Sequence, residues 1–151
     1  MKRYEFAEIT VMSMPTICDV RNKYIFGGVR HVVNVSGQRY SKDIQYALNE
    51  RGILTYEFPL VETGPDMGME NILGAISVIG KADAAGEKVI VHCVGGNNRS
   101  RAVVEAYHYA KTGTHYPDDY KGAFNHLLYN SAEGHLPPAE ELERILRAAN
   151  L

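Results

Sequence analysis

Apolar residues along this chain alternate between short β-branched runs and longer stretches in which they recur every three or four positions. Val89-Ile90-Val91 is a continuous apolar run suited to a buried strand. Residues 8–14 and 31–36 also read as strands, the second turned by Gly37, and residues 53–59 form a third that Pro59 stops. Between these runs the period lengthens. Ser41 can cap a helix that reaches about Glu50, with Gly52 just past its end. Ile72, Leu73, Ile76 and Ile79 share a face across residues 70–84, and Leu142, Ile145 and Leu146 share one across residues 140–149, after Pro137-Pro138. From Ser100 a mostly apolar helix runs to Gly113, and Pro117 opens another with Asp118 and Asp119 in its first turn.

This βα alternation predicts an α/β fold: a central, largely parallel sheet of four to five strands flanked by helices, with ligands gathered beyond the carboxyl ends of the strands. No repeat or linker divides residues 1–151, so a single domain is expected. Composition sharpens that reading only modestly. With 45% hydrophobic and 23% charged residues the chain is not of the disordered class, and a net charge of −2 recruits neither nucleic acid nor an anionic membrane. No apolar run approaches a membrane span, and a cytoplasmic location is expected. Of the two cysteines, Cys18 is expected to be a small buried or half-buried residue. The six histidines have no metal-ligand spacing.

The remaining cysteine changes the picture. Cys93 ends the apolar run, Gly95-Gly96 free the backbone to turn, and Arg99-Ser100 stand where the next helix begins. A thiol at a strand-to-helix junction lies beside unpaired backbone N–H groups and the positive end of a helix dipole, which favour both bound anions and thiolate. A free cysteine has a pKa of about 8.5, and such surroundings can lower it to roughly 3.5–7.5. Cys93 is therefore the candidate nucleophile. The planar fork of Arg99 matches two oxygens of a phosphoryl group, and the Ser100 hydroxyl can donate to the Cys93 sulfur and ease its release. Val94, Gly95, Gly96, Asn97 and Asn98 would bind phosphate through the loop backbone. The asparagines serve better to stabilise a left-handed turn than to hold oxygens with their amides. A lone cysteine ending a strand is more often an inert core residue, but strand, glycines, arginine, hydroxyl and helix coincide here.

His92-Cys93-Val94-Gly95-Gly96-Asn97-Asn98-Arg99-Ser100 resembles the His-Cys-x-x-Gly-x-x-Arg-Ser/Thr loop of the protein tyrosine phosphatase superfamily. The short chain without tryptophan is more similar to the compact dual-specificity phosphatases than to the larger tyrosine phosphatases. The resemblance implies a phosphocysteine intermediate on Cys93, phosphate coordination by Arg99 and the loop amides, a bracing role for His92, and no metal or other cofactor. It also implies a phosphorylated substrate, with phosphoprotein preferred, while the oligomeric state stays open.

Cleaving a phosphate ester also needs a proton for the leaving oxygen, which a positioned carboxyl supplies with a gain of ~10²–10⁴-fold. Gly64-Pro65-Asp66-Met67-Gly68 resembles the family's Trp-Pro-Asp-x-Gly loop with glycine in place of tryptophan, which nominates Asp66. Glu62 stands at the more customary distance from Cys93 and is the alternative acid. The competing reading of the whole chain is a catalytically weak module that binds phosphorylated partners. A sulfur transferase of rhodanese type also uses a loop cysteine, but the Arg99-Ser100 pair weighs against it.

Overall fold

Two layers of helix cover one sheet, and the reason lies in the alternation of its strands. The structure, a computed structural model, describes residues 1–60, 68–95, 98–116 and 123–149. Its strands are β1 (Lys2–Tyr4), β2 (Ile9–Met12), β3 (Val29–Asn34), β4 (Leu54–Glu57) and β5 (Lys88–His92), in the order β1-β2-β5-β3-β4. β2, β5, β3 and β4 run parallel, and β1 is antiparallel to β2 at one edge. The helices are α1 (Ile17–Arg21), α2 (Lys23–Phe26), α3 (Lys42–Glu50), α4 (Met69–Ala84), α5 (Arg99–Thr112), α6 (Ala123–Ala132) and α7 (Ala139–Ala148).

Val11, Val33, Val89, Val91 and Cys93 point into a cluster with Ile72, Ile76 and Ile79 of α4, Val103 and Tyr107 of α5, and Leu142 and Leu146 of α7. Their neighbours Met12, Val32 and Ile90 point the other way, onto Val20, Phe26 and Leu48 of α1–α3. Burial on both faces is what makes parallel strands continuous in apolar sequence. Each fully buried Ile or Leu contributes about 1.5–3 kcal/mol. β1 is tied to α5 by a polar link: Tyr4 Oη donates to Glu105 Oε2 at 2.9 Å, and Arg101 Nε lies 3.6 Å from the same oxygen. A carboxylate this deeply buried is tolerable because it is paired.

The expected α/β fold is the one found, with differences that have local causes. β3 begins two residues earlier than the pattern indicates and ends at Asn34 rather than Ser36. There Asn34 Oδ1 accepts from the Ser36 N–H at 2.9 Å and from Ser36 Oγ at 2.6 Å, turning the chain out of the ladder. β2 stops at Met12 and β4 spans only Leu54–Glu57. Ser41 caps α3 as expected, its Oγ accepting from the Ile44 N–H. β1, α1 and α2, three to five residues each, are too short to impose a period and were not anticipated. α1 nonetheless carries a capping box, with Asp19 N–H donating to Thr16 Oγ1 at 3.2 Å and Thr16 N–H to Asp19 Oδ2 at 2.8 Å. Cys18, expected to be buried or half-buried, is exposed on α1 because the inward position of this short helix belongs to Val20. The helix start assigned to Pro117, with Asp118 and Asp119, lies outside the described residues. No helix among the described residues is long and apolar enough to cross a membrane.

Candidate active site

Cys93 follows β5, which lies between the parallel strands β2 and β3, so the loops after those two strands flank it. The Met14 N–H donates to the Val94 carbonyl and the Val35 N–H to the His92 carbonyl, both at 3.0 Å, fixing the start of the loop from either side. Cys93 is 3% exposed, and its Sγ lies 3.3 Å from Ser100 Oγ. Because Arg99 is the first residue of α5, this contact sets the sulfur against the helix's first turn, where the dipole and unpaired N–H groups favour negative charge. Ser100 is itself buried. The turn is made differently from the sequence expectation. Asn98, at φ −108°, is not left-handed, since α5 starts directly after it in right-handed backbone, and its side chain makes no cap hydrogen bond. Gly95 has no positive φ either, and a Cβ there would meet open space. Gly96 and Asn97 lie outside the described residues.

Arg99 is held as firmly as it could hold a ligand. Its Nη1 donates to the Ser36 carbonyl at 3.0 Å and to the Leu60 carbonyl at 2.9 Å, from the loops after β3 and β4. The Nε–Nη2 edge, the one that forks onto two oxygens, takes no part in that anchoring. Asn34 prepares the first of these carbonyls, its Nδ2 donating to the Gln38 carbonyl at 2.8 Å while its Oδ1 holds Ser36. The Leu60 N–H donates to Val35 O at 3.1 Å, so Leu60 is fixed through both of its peptide groups. Asp66 and Glu62 lie outside the described residues. They follow Leu60 directly in sequence.

His92 is fully buried, and its ring is fixed at both nitrogens. Nδ1 lies 3.2 Å from the Cys93 carbonyl and Nε2 lies 2.6 Å from Tyr40 Oη. A carbonyl can only accept, so Nδ1 carries the hydrogen, Nε2 accepts, and Tyr40 donates. Burial pushes His92 down to about 4, against a smaller upward effect of the Cys93 carbonyl. Tyr40 stays a donor because burial, and then the charge of Glu57, raise its pKa well above the usual phenol value. The sign of the His92 effect follows. As pH falls from about 6.5 the unfolded chain takes up a proton that the folded one refuses until about 4. Stability present above pH ~6.5 is therefore lost across that window, on the order of 3 kcal/mol in all. Urea unfolding at pH 7.5 and pH 5 should differ by about 2 kcal/mol more in the wild type than in His92→Asn, which does not titrate. An equal drop in both would overturn this assignment.

Together these contacts bring Cys93, Ser100, Arg99 and His92 into one site, and they add partners that residue type did not announce. Ser36 and Leu60 act through backbone carbonyls, which any residue supplies. Tyr40 had a weak signal, an aromatic immediately before the Ser41 cap. The arrangement sets a sulfur against a hydroxyl at a helix N-terminus, with the guanidinium of the same first turn anchored on the loops after β3 and β4.

No protein-family model matches this chain, and no curated protein does. Solved structures do. The chain is similar to PTPMT1, with a TM-score of 0.68 at 18% identity over 97% of this chain and 95% of that one. It is similar to the core catalytic domain of the PP-IP phosphatase SIW14 from S. cerevisiae, with a TM-score of 0.61 at 11% identity over 95% and 82%. It is also similar to TpbA from P. aeruginosa, with a TM-score of 0.56 at 16% identity over 94% and 80%. PTPMT1 has also been solved in complex with PI(5)P. At these identities the likeness is one of fold, and the fold is that of the compact phosphatases that the loop resembles.

Proposed function

We propose that this protein is a cysteine-dependent phosphomonoester hydrolase. The observation that carries the reading is the 3.3 Å contact of Cys93 Sγ with Ser100 Oγ in the first turn of α5, next to Arg99. The Cys93 thiolate attacks phosphorus, forming a P–S bond as the P–O bond to the leaving group breaks. Arg99, through Nε and Nη2, and the N–H groups of Val94, Gly95, Gly96, Asn97 and Asn98 hold the equatorial oxygens. The carboxylic acid of Asp66 gives the leaving oxygen its proton, with Glu62 the alternative. That carboxylate then takes a proton from water as the water's oxygen attacks phosphorus. The P–S bond breaks, the electron pair returns to sulfur as thiolate, and Ser100 Oγ donates to it. Support for a carboxylate in reach comes from Leu60, which is bonded to Arg99 directly before the segment that bears both candidates.

The finer reading is a phosphoprotein substrate, in keeping with the loop's resemblance to dual-specificity phosphatases. The competing substrates for the assay come from the structural neighbours, a phosphoinositide and a PP-IP. The test uses one aryl phosphate with a good leaving group and one alkyl phosphate with a poor one. The wild type should turn over both. Asp66→Asn should lose ~10²–10⁴-fold on the alkyl ester and much less on the aryl one, with Glu62→Gln close to wild type. The reverse pattern would move the acid to Glu62. Retained phosphopeptide binding with no turnover of either ester would replace the enzyme by a binding module.

A further inference from the structure

The loop after β3 touches both ends of the cysteine loop. At one end Ser36 holds Arg99 through its carbonyl. At the other, five residues on from the end of β3's turn at Val35, Tyr40 reaches His92. The second contact controls more than a ring. The Cys93 carbonyl accepts from His92 Nδ1, and every described peptide bond is trans, so the N–H of the same peptide, that of Val94, points the opposite way. His92 belongs with the strand positions that face α1–α3, whereas Cys93 belongs with those that face α4–α7. Tying the carbonyl to the His92 ring thus turns the Val94 N–H away from that ring and toward the sulfur's side. The next peptide is treated alike, since the Val94 carbonyl is drawn off by the Met14 N–H. Two successive carbonyls are tied back, and the N–H groups of Val94 and Gly95 point away from those ties, a disposition that successive amides of an anion-binding concavity require.

We propose that Tyr40 is a positioning residue of this site, aiming the Val94 N–H into the anion cradle through His92 and the Cys93 carbonyl. This rests on the phosphatase reading only for the identity of the anion. Without the Tyr40 hydroxyl, Nε2 of a buried neutral ring has lost its donor; the Cys93 carbonyl still selects the Nδ1–H tautomer, but the ring is no longer held at its far edge. The charged and titratable groups around the relay among the described residues are Glu57, which faces Tyr40 from β4, the Cys93 thiol, and Arg99 at the start of α5.

The test is Tyr40→Phe in the full chain, in wild-type and His92→Asn backgrounds. Three readouts need no turnover: the ¹⁵N signals of the His92 ring, the affinity for inorganic phosphate, and the pH profile of Cys93 alkylation by iodoacetate. Tyr40→Phe alone should shift the His92 Nε2 signal while Nδ1 keeps its hydrogen, bind phosphate about five-fold more weakly, and be alkylated several-fold more slowly at mildly acidic pH. In the His92→Asn background the same change should add nothing. Unchanged ring signals and alkylation in a folded Tyr40→Phe variant would overturn the proposal, as would equal losses in both backgrounds, which would reduce Tyr40 to packing. If the wild type fails to hydrolyse any phosphate ester, the phosphatase reading falls, while the ring signals and the alkylation profile still decide the role of Tyr40.

Discussion

Cys93→Ser is expected to abolish phosphomonoester turnover, with a loss on the order of 10⁴-fold or more, while inorganic phosphate still binds. The reason is the difference in acidity between a thiol and a hydroxyl. A thiol beside a helix N-terminus can ionise unaided, but a serine hydroxyl there needs a base to take its proton. The hydroxyl of Ser100, in contact with Sγ, is a donor to thiolate and no base. Buried His92 could not serve, because its Nε2 lone pair is held by Tyr40 and its Nδ1–H by the Cys93 carbonyl. Binding should survive, since Arg99 and the backbone amides are untouched and the substitution removes a negative charge from the cradle. Acid-quenched single turnovers with a labelled aryl phosphate provide the check. Wild type should show label retained on Cys93 and the variant none. A variant within ten-fold of the wild-type rate would place the nucleophile elsewhere.

How much of this was legible in the sequence divides along a physical line. Segments whose signal is local were readable: the Val89-Ile90-Val91 strand, buried on both faces; α3 with its Ser41 cap; α4 and α7 with their apolar stripes. The strand end before Cys93 and the helix start at Arg99-Ser100 were readable for the same reason, because both belong to one strand–loop–helix unit. β1 and α1–α2 cover little more than one strand or helical period and gain their stability from tertiary contacts such as Tyr4–Glu105 and the packing of Val20 and Phe26. The partners of Arg99 were hidden more thoroughly. Ser36 and Leu60 are 63 and 39 residues away and contribute only carbonyls, which carry no side-chain signature. Asn98 shows the opposite failure: a residue type suited to left-handed turns sits at negative φ because the helix begins immediately after it.

Arg99→Lys should cost nearly as much as removing the nucleophile, although charge is conserved. Nη1 closes onto the Ser36 and Leu60 carbonyls, and on the proposed function the Nε–Nη2 edge would fork onto two phosphoryl oxygens. An ammonium is a compact point charge with three donors on a flexible stem, so a lysine that satisfies the carbonyls leaves the phosphate, and one that reaches the phosphate abandons them. Losing two charge-assisted hydrogen bonds at about 1.5–3 kcal/mol each predicts a fall in kcat/KM of roughly 10²–10⁴-fold. Releasing Leu60 also frees the base of the segment that bears Asp66 and Glu62, so the loss should fall on kcat as well as KM. It should be larger for an alkyl phosphate, which depends on the acid, than for an aryl one. Steady-state kinetics on both esters, with inorganic phosphate binding measured in parallel, separate the two tasks. Weakened phosphate binding with equal losses on both esters would confine Arg99 to holding the anion. Kinetics within ten-fold of wild type would leave it a strut between two loops and move phosphate recognition onto the backbone amides alone.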